Sequence, residues 1–413
     1  MKEKIKLGYI GIGRRGRSML NSCYSKMDDV EIVAICDLRE ERLEGTREIF
    51  EERQKPMPKM TTNYMDIIND PEIDAVAVMT PWAGRVDIAI EAMRANKQVA
   101  IEVGCAQSLD ECDRLLKAYK ETGIHVMMLE NCCYDRREMA IYNMVKQGLF
   151  GEIVHCDGAY RHFLPNVDLL KEIIDGKEFT HYRLQHYIEQ NRENYPTHEL
   201  GPICKVLDIN RGNRLVSLSS FASKARGIKQ FAIDQFGEDS EWAKIDYKQG
   251  DIVTTIITCA DGATITLTLD TTLPRGHYSR GYSIRGTKGC SIEDSNSIYL
   301  KEMGEKIRGN ENEMIEKYEH PLWKNFKENV KATHGNMDWF ISRAFVDSVK
   351  KGVKPPIDIY DTLTWLAIGP LSAMSIEQGG APVAVPDFTE GAWENREPVV
   401  KGKYCLEEVC DEK

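Results

Sequence analysis

Three glycines near the N-terminus have the spacing of a dinucleotide-binding turn. Gly11, Gly13 and Gly16 form a G-x-G-x-x-G motif directly after a short apolar run that begins at Ile5, and such a run is typical of a buried strand. In this kind of turn the first glycine permits the bend, the second lets the backbone approach a pyrophosphate, and the third lets the next helix pack on the strand. The motif therefore predicts a bound nucleotide, with the N-terminal amides of that helix directed at its phosphates.

An acidic residue follows where the adenine ribose of such a nucleotide would be bound. The apolar run 31–36 ends at Asp37, about 20 residues beyond the glycines, where a carboxylate accepts hydrogen bonds from ribose hydroxyls. The glycines alone are also consistent with a tight turn that has no ligand, but strand, turn, helix, strand and acid in this order are far more specific. Since Asp37 would repel the 2′-phosphate of NADP, we expect the cofactor to be NAD.

Two histidines and a tyrosine could transfer protons near neutral pH. His198 follows Tyr195-Pro196-Thr197, which predicts a turn, and an unperturbed imidazole titrates near neutrality. Tyr160 and His162 alternate within one predicted strand, so both side chains should lie on the same face of a sheet. Simpler interpretations are an exposed turn histidine for His198 and a core tyrosine with a satisfied hydroxyl for Tyr160.

Strand-like and helix-like segments alternate through the first third of the chain. Strands are expected at residues 73–79, 99–102 and 124–129, and helices at residues 40–53, 86–96 and 109–122. This alternation predicts a parallel, doubly wound sheet of the Rossmann type, an α/β NAD-binding domain over residues 1–135. Ligands of such sheets bind beyond the carboxyl ends of the strands, and these ends carry Gly11, Asp37, Thr80-Pro81-Trp82, Glu102-Val103 and Glu130-Asn131.

The pattern changes after residue 135. Strands are expected at residues 152–160, 215–222, 251–259 and 263–270, and helices at residues 137–148, 337–350 and 362–378. The turn at residues 260–262 joins two strands as a hairpin. We therefore expect residues 136–413 to form an α+β domain with an open, mainly antiparallel sheet, which binds substrate and mediates oligomerisation. The charged segment 304–331 is expected to be a surface excursion.

Residues 263–269 alternate between apolar and hydroxyl side chains, so one face of the sheet should be apolar and need cover. We expect this face to lie opposite the substrate and to be buried against a second subunit, which would make the protein a homo-oligomer. The alternative cover is the chain's own C-terminal helices.

Charge and hydropathy exclude several classes of function. The 413 residues carry a formal net charge of −11, which disfavours binding to nucleic acid or to an anionic membrane because both need a basic surface. No apolar run of about eighteen residues is present and no apolar signal region precedes the first strand, so we expect a cytoplasmic protein, although a removed export signal would leave the same sequence. The cysteines lack a repeated C-x-x-C spacing and there is no H-E-x-x-H, so we expect no metal.

Longer stretches resemble the Gfo/Idh/MocA oxidoreductases, and within them the chain is similar to glycoside hydrolase family 109, the NAD-dependent α-N-acetylgalactosaminidase-like group. The matching stretches lie in family order at residues 80–82, 102–103, 130–134, 158–162, 195–198, 208–214, 278–281 and 334–338. The family usually has histidine where this chain has Arg85, proline where it has Gly104, and glycine where it has Glu199 and Asn336.

The resemblance implies roles for individual residues. Tyr160 and His198 are implied as the catalytic acid and base groups. The sugar is expected to be held by Arg183, Tyr195, Pro196, Thr197, His198, Tyr278 and His162. The cofactor is expected to contact Gly11, Gly13, Arg14, Arg15, Gly16, Asp37, Thr80, Trp82, Arg85, Glu102, Val103 and Asn131.

The leading hypothesis is a glycosidase that uses tightly bound NAD in a redox-neutral cycle on α-N-acetylgalactosaminides or a related glycoside. Hydride leaves C3 of the sugar, the C2 proton and the C1 leaving group follow, water adds, and the hydride returns. The alternatives are an NAD-dependent sugar dehydrogenase and a non-catalytic NAD-binding sensor. Sugar dehydrogenases of the wider family have Glu-Lys-Pro where this chain has Glu102-Val103-Gly104, and valine cannot transfer a proton. Ordinary glycosidases use two carboxylates, and no spacing in the sequence identifies such a pair.

Overall fold

The computed structural model describes residues 2–304, 308–326, 330–396 and 402–407. Packing divides them into two units. Unit 1 comprises the described residues within Met1–Ala140, Glu319–Leu363 and Asn395–Lys413, and unit 2 those within Ile141–Tyr318 and Thr364–Glu394. This division differs from the expected boundary between residues 135 and 136, because two later segments associate with the N-terminal part of the chain.

Unit 1 contains a six-stranded sheet with the strand order β3-β2-β1-β4-β5-β6, in which every pair is parallel. The strands are β1 (Ile5–Ile10), β2 (Val30–Cys36), β3 (Lys59–Thr61), β4 (Ala75–Val78), β5 (Gln98–Ile101) and β6 (Val126–Met128). The helices between the strands are α1 (Arg14–Ser22), α2 (Glu40–Glu44), α3 (Arg47–Glu52), α4 (Met65–Ile68), α5 (Arg85–Arg94) and α6 (Leu109–Thr122). Helix α7 (Arg136–Lys146) follows β6 and continues into unit 2. The predicted doubly wound α/β domain is confirmed.

Unit 2 contains an eight-stranded sheet with the order β13-β12-β11-β7-β10-β9-β8-β14. The strands are β7 (Ile153–Arg161), β8 (Leu215–Ala222), β9 (Ile252–Cys259), β10 (Thr264–Asp270), β11 (Ser283–Gly286), β12 (Gly289–Ile292), β13 (Ser297–Leu300) and β14 (Val383–Ala384). Only the central β7–β10 pair is parallel among the pairs described. The expected open, mainly antiparallel sheet is therefore confirmed.

The remaining helices begin after β7. They are α8 (Lys171–Ile174), α9 (Tyr182–Glu189), α10 (Thr197–Val206), α11 (Gly227–Phe236), α12 (Glu241–Lys244), α13 (Glu311–Lys317), α14 (Pro321–Lys324), α15 (Met337–Lys351), α16 (Ile359–Leu366) and α17 (Ile368–Glu377). Helices α14 and α15 belong to unit 1. Over the part of the chain that is described, no helix combines the length and the apolar composition needed to cross a bilayer.

The apolar face of β10 corrects the expectation about its cover. Ile265, Leu267 and Leu269 are fully buried. Leu269 is in register with Tyr160 of β7, so the apolar face and Tyr160 are on the same side of the sheet, not on opposite sides. Helix α10 packs against β7 and α17 against β8. Helices of the same chain thus cover this face, and the alternation is no evidence for a second subunit.

Three local predictions were wrong. The helix expected at residues 40–53 is broken at Gly45, where α2 ends. The helix expected at residues 362–378 is broken at Ala367, because Pro370 has no amide hydrogen to continue the helical ladder. Segment 304–331, apart from residues 305–307 and 327–329, which lie outside the described residues, includes α13 and α14 with buried Met314 and Leu322, so it is not merely a surface excursion.

Arg85 fixes the carboxyl ends of two parallel strands. It begins α5 and is 3% exposed. Its guanidinium donates to the carbonyl of Thr80, beyond β4, and to those of Glu102 and Val103, beyond β5, the last at 2.8 Å. A planar, permanently charged group suits several carbonyls that converge in a buried place. Arg85 therefore shapes the edge of the sheet where a nucleotide would bind.

Arg85→Ala should lower the free energy of unfolding by about 3 kcal/mol, because it leaves buried carbonyls without their donor. Arg94→Ala, at the other end of α5, is the matched control. Its ion pairs with Glu91 and Glu121 are exposed, so the loss should stay below about 1 kcal/mol. Urea unfolding of both variants measures the difference, and equal losses would contradict the tethering role of Arg85.

Candidate active site

The glycine turn of unit 1 has the geometry of a pyrophosphate cradle. Gly11 has a φ of 101°, and a Cβ there would lie 2.8 Å from the carbonyl carbon of Met79. A Cβ at Gly16 would lie 2.1 Å from the carbonyl oxygen of Gly11, whereas one at Gly13 would meet no atom closer than 3.9 Å. Gly13 also precedes α1, whose N-terminus has no side-chain cap. The first amides of α1 are thus suited to phosphate oxygens.

Asp37 lies beside this turn, as predicted. One carboxylate oxygen accepts a hydrogen bond from the amide of Ile12 at 2.7 Å, and the other accepts one from the amide of Arg39 at 3.0 Å. The guanidinium of Arg42 is 3.6 Å away. Asp37 therefore stabilises the glycine turn through these hydrogen bonds. This contact is separate from the expected contact with a ribose.

Two predicted cofactor residues, Arg15 and Asn131, meet at the carboxylate of Asp338, which was identified from the sequence only as part of a matching stretch. Arg15 donates two hydrogen bonds to Asp338, at 2.7 and 2.8 Å, and its Nε is 3.3 Å from Glu102. The amide of Asn131 donates to Asp338 at 2.8 Å. Arg14 is the first residue of α1. No spacing rule could have linked Arg15 to a residue 323 positions away.

Trp82 lies against Gly104, one of the positions where this chain departs from the family pattern. Its ring is buried, and a Cβ at Gly104 would lie 2.2 Å from the indole nitrogen, where the backbone also has a φ of 148°. A glycine is required here because any side chain would displace the indole. Val103 is buried, and the buried hydroxyl of Thr80 has no hydrogen-bond partner among the described residues. Such an orphaned hydroxyl at a strand end fits a ligand-binding role.

The aromatic residues predicted to bind the sugar come together in unit 2. The ring of Tyr160 lies 4.5 Å from Tyr195, 5.8 Å from His198 and 6.1 Å from Tyr278, measured between centroids. The hydroxyl of Tyr160 is 3.2 Å from Nδ1 of His162, which confirms that both side chains lie on one face. The cluster combines hydroxyl and imidazole groups that can exchange protons.

Arg183 joins the same cluster. Its guanidinium lies 4.6 Å from the centre of the Tyr195 ring and donates to Asp168 at 2.9 Å. Asp168 was not predicted; it lies in a π-helical turn, Pro165–Leu169, a conformation that is frequent at functional sites. Pro196 precedes α10, and Thr197 is its first residue. The buried hydroxyl of Thr197 has no partner within the described ranges.

Burial dominates the electrostatics of Tyr160. It raises the pKa of the phenol to about 12, against the opposing charge and hydrogen bond of Arg183, and the charges of Asp168 and Glu199 act in the same direction as burial. Glu199 is itself fully buried. A Cβ at Gly158 would lie 2.6 Å from that of Glu199, so glycine in β7 accommodates this larger residue of α10. Tyr160 is therefore a neutral phenol at physiological pH.

Comparison with known proteins matches the nucleotide-binding part and the aromatic-cluster part of the chain to one domain family each. The profile described as "Oxidoreductase family, NAD-binding Rossmann fold" matches residues 5–130, and that described as "Glycosyl hydrolase 109, C-terminal domain" matches residues 134–395. The chain is 37% identical to an alpha-N-acetylgalactosaminidase of Tannerella forsythia, over 95% of this chain and 88% of the relative. It is 39% identical to a glycosyl hydrolase family 109 protein of Stenotrophomonas maltophilia, over 97% and 93%.

A solved structure, levoglucosan dehydrogenase in complex with NADH, shares the fold. It superposes with a TM-score of 0.70 at 18% identity and covers 93% of this chain and 100% of its own. The domain profiles and the full-length relatives together establish that the chain belongs to glycoside hydrolase family 109 of the Gfo/Idh/MocA oxidoreductases, with a Rossmann domain that binds a nicotinamide cofactor.

Proposed function

We propose that this glycoside hydrolase acts on α-N-acetylgalactosaminides or a related glycoside and retains its NAD through each turnover. One observation carries the proposal: the chain combines a nucleotide cradle at residues 11–16 with a tyrosine and histidine cluster in its family 109 domain. The relative from Tannerella forsythia bears the name of this activity. A net dehydrogenase is disfavoured because residue 103 is a buried valine, which cannot accept a proton.

The chemistry divides between the cofactor and the side chains. When bound, NAD would accept hydride from C3 of the sugar and return it at the end of the cycle. His198 is assigned to the C3 hydroxyl, whose proton it removes during oxidation. The resulting C3 ketone acidifies the C2 proton, which Tyr160 removes as the C1 leaving group departs. Water then adds at C1 and gives up one proton, which balances the proton taken up by the departing alkoxide. Tyr160 returns its proton to C2 and His198 returns its proton to the C3 oxygen, so the enzyme ends in its starting state.

The raised pKa of Tyr160 requires a route for its own proton. A phenol with a pKa of about 12 is protonated in the resting enzyme and cannot remove a C2 proton until that proton leaves. Nδ1 of His162 lies 3.2 Å from its hydroxyl. Arg183 also hydrogen-bonds to the phenol, but a guanidinium is permanently protonated and cannot accept a proton. Arg183 stabilises the phenolate that forms. We therefore assign His162 as the acceptor of the Tyr160 proton.

Isotope exchange tests the elimination at C2, and three substitutions test the residues assigned to proton transfer. Substrate turned over in deuterium oxide should give product labelled at C2, whatever the leaving group. His198→Ala, Tyr160→Phe and His162→Gln should each lower glycoside release by about 10²- to 10⁴-fold, the usual contribution of a proton-transfer group. All three should keep bound NAD, because none lies in the glycine turn. Mass spectrometry of the product and of the released cofactor provides both measurements.

Direct displacement by a carboxylate predicts a different result. Product would then be unlabelled at C2, and activity would survive removal of NAD. That pair of results would refute the elimination mechanism, and net accumulation of NADH would instead identify a dehydrogenase.

The cofactor is assigned as NAD rather than NADP because of Asp37. Its carboxylate would accept from the ribose hydroxyls and repel a 2′-phosphate. The purified protein should release NAD on denaturation. Asp37→Ser should reduce the preference for NAD over NADP by about tenfold or more, equivalent to roughly 1.4 kcal/mol. Glu41→Gln, which removes a neighbouring exposed carboxylate, is the control and should leave the preference unchanged in titrations with both nucleotides. Release of NADP from the wild-type protein would overturn the assignment.

We also propose that the protein is a homo-oligomer. The ground is no longer the apolar face of β10, which helices of the same chain cover, but the opposite face of the same sheet. The face of the unit 2 sheet that points away from Tyr160 carries a row of hydroxyl residues, and on it Ile256 is 45% and Phe221 is 54% exposed. The open face of an antiparallel sheet is commonly polar and solvated, so large exposed apolar side chains on it favour a contact, and a second copy in a symmetric oligomer is the common partner.

Light scattering should give a mass above that of one chain. Ile256→Lys should shift the protein toward the monomer, because it places a charge in the proposed contact. Met374→Lys, at an exposed apolar position of α17, is the control and should leave the mass unchanged. A wild-type monomer at micromolar concentration would refute this proposal.

A further inference from the structure

Asp338 of unit 1 is a carboxylate with several hydrogen-bond donors. Its side chain is fully buried at the start of α15. It accepts two hydrogen bonds from Arg15, at 2.7 and 2.8 Å, and one from Asn131, at 2.8 Å. Nδ1 of His334 lies 2.8 Å from it, and the hydroxyl of Thr333 also donates to it. Three segments of the chain therefore converge on one carboxylate.

These contacts keep the carboxylate charged. Burial alone would favour its neutral form, but Arg15 and the hydrogen bond from His334 hold the pKa of Asp338 well below its usual range. A buried charge is costly to leave unpaired. Removal of Arg15 or of His334 should therefore alter the geometry around Asp338.

The backbone before α15 is held in an unusual conformation. His334, Gly335 and Asn336 have φ values of 52°, 60° and 74°, and two of these left-handed residues carry side chains. Such conformations persist only where surrounding contacts stabilise them, and they occur often at functional sites. Here the turn brings Thr333 and His334 onto Asp338.

Two partners of Asp338, Arg15 and Asn131, and the Glu102 that contacts Arg15 belong to the nucleotide edge of the parallel sheet. Arg15 lies in the first turn of α1, immediately before Gly16, and its Nε is 3.3 Å from Glu102, which follows β5. Asn131 follows β6. All three segments are at the carboxyl ends of strands, where dinucleotides bind in such sheets.

We propose that Asp338 is a positioning residue for the cofactor cradle: through Arg15 and Asn131 it holds the glycine turn and the ends of β5 and β6 in the arrangement that retains NAD. This inference rests on the proposed function, in which NAD remains bound through turnover. A preformed cradle needs no ordering when the cofactor binds, so less binding energy is lost. Asp338 does not itself need to touch NAD.

The test compares Asp338→Asn with a variant of the same helix. Arg343 of α15 makes a two-pronged ion pair with Asp29, at 2.6 and 3.0 Å. Asp29 precedes β2 and so lies at the amino end of that strand, whereas the cradle is at the carboxyl ends. Arg343→Gln therefore breaks an ion pair of α15 away from the cradle. Both variants should lower the melting temperature. Only Asp338→Asn should raise the dissociation constant for NAD, by about tenfold to a hundredfold, as expected for loss of a charge-assisted hydrogen bond.

Calorimetric titration of NAD into cofactor-free protein measures this constant without any substrate. Arg15→Lys, which keeps the charge but loses the paired geometry, is a milder second variant and should give a smaller increase. Combined with Asp338→Asn it should add little, because the two residues act through one interaction. The inference is overturned if NAD binds Asp338→Asn as tightly as wild type, or if Arg343→Gln weakens binding equally.

A failure of the proposed function would look different. Wild-type protein that exchanges its cofactor in every turnover would refute the retained-NAD cycle, but the ratio of the dissociation constants would still decide the role of Asp338.

Discussion

The contact between the first turn of α1 and the end of β1 is the constraint on which unit 1 depends. Gly16 approaches the carbonyl of Gly11 so closely that no side chain fits between them. This leaves Gly11 in a left-handed conformation and brings the uncapped N-terminus of α1 to the edge of the sheet. Asp37 then secures the turn through the amide of Ile12. Sterics set the shape of the turn, and hydrogen bonds to buried carboxylates maintain it.

Local signals made much of the fold predictable. Helix α6 was expected at residues 109–122 and occurs at Leu109–Thr122, because Ser108 caps its first turn and Gly123 adopts the left-handed conformation that ends it. Tyr160 and His162 were placed on one face by the two-residue period of a strand, and they form a hydrogen bond there. Such features depend on neighbouring residues, so the sequence contains them directly.

Features that depend on distant residues could not be predicted in the same way. The alternation in β10 identified an apolar face but not what covers it, because α10 and α17 come from other parts of the chain. The sequence did not identify Asp168 as the partner of Arg183, or Asp338 as the partner of Arg15. The chain has sixty-five acidic residues, and nothing in the residues next to a carboxylate shows which distant arginine it will contact. Arg85 was expected at the cofactor, yet its guanidinium is occupied by backbone carbonyls.

The contact between Trp82 and Gly104 also limits how this sequence can change. Proline needs a φ near −65°, whereas Gly104 has a φ of 148° and touches the indole. Introducing the Glu-Lys-Pro triplet of the sugar dehydrogenases at residues 102–104 would therefore require Trp82 to move and the backbone to change conformation. Residue 103 is constrained as well, because Val103 is buried and a lysine there would place a charge in an apolar setting. Residues 82 and 104 are therefore coupled: in this backbone a side chain at residue 104 is accommodated only if the indole of Trp82 shifts.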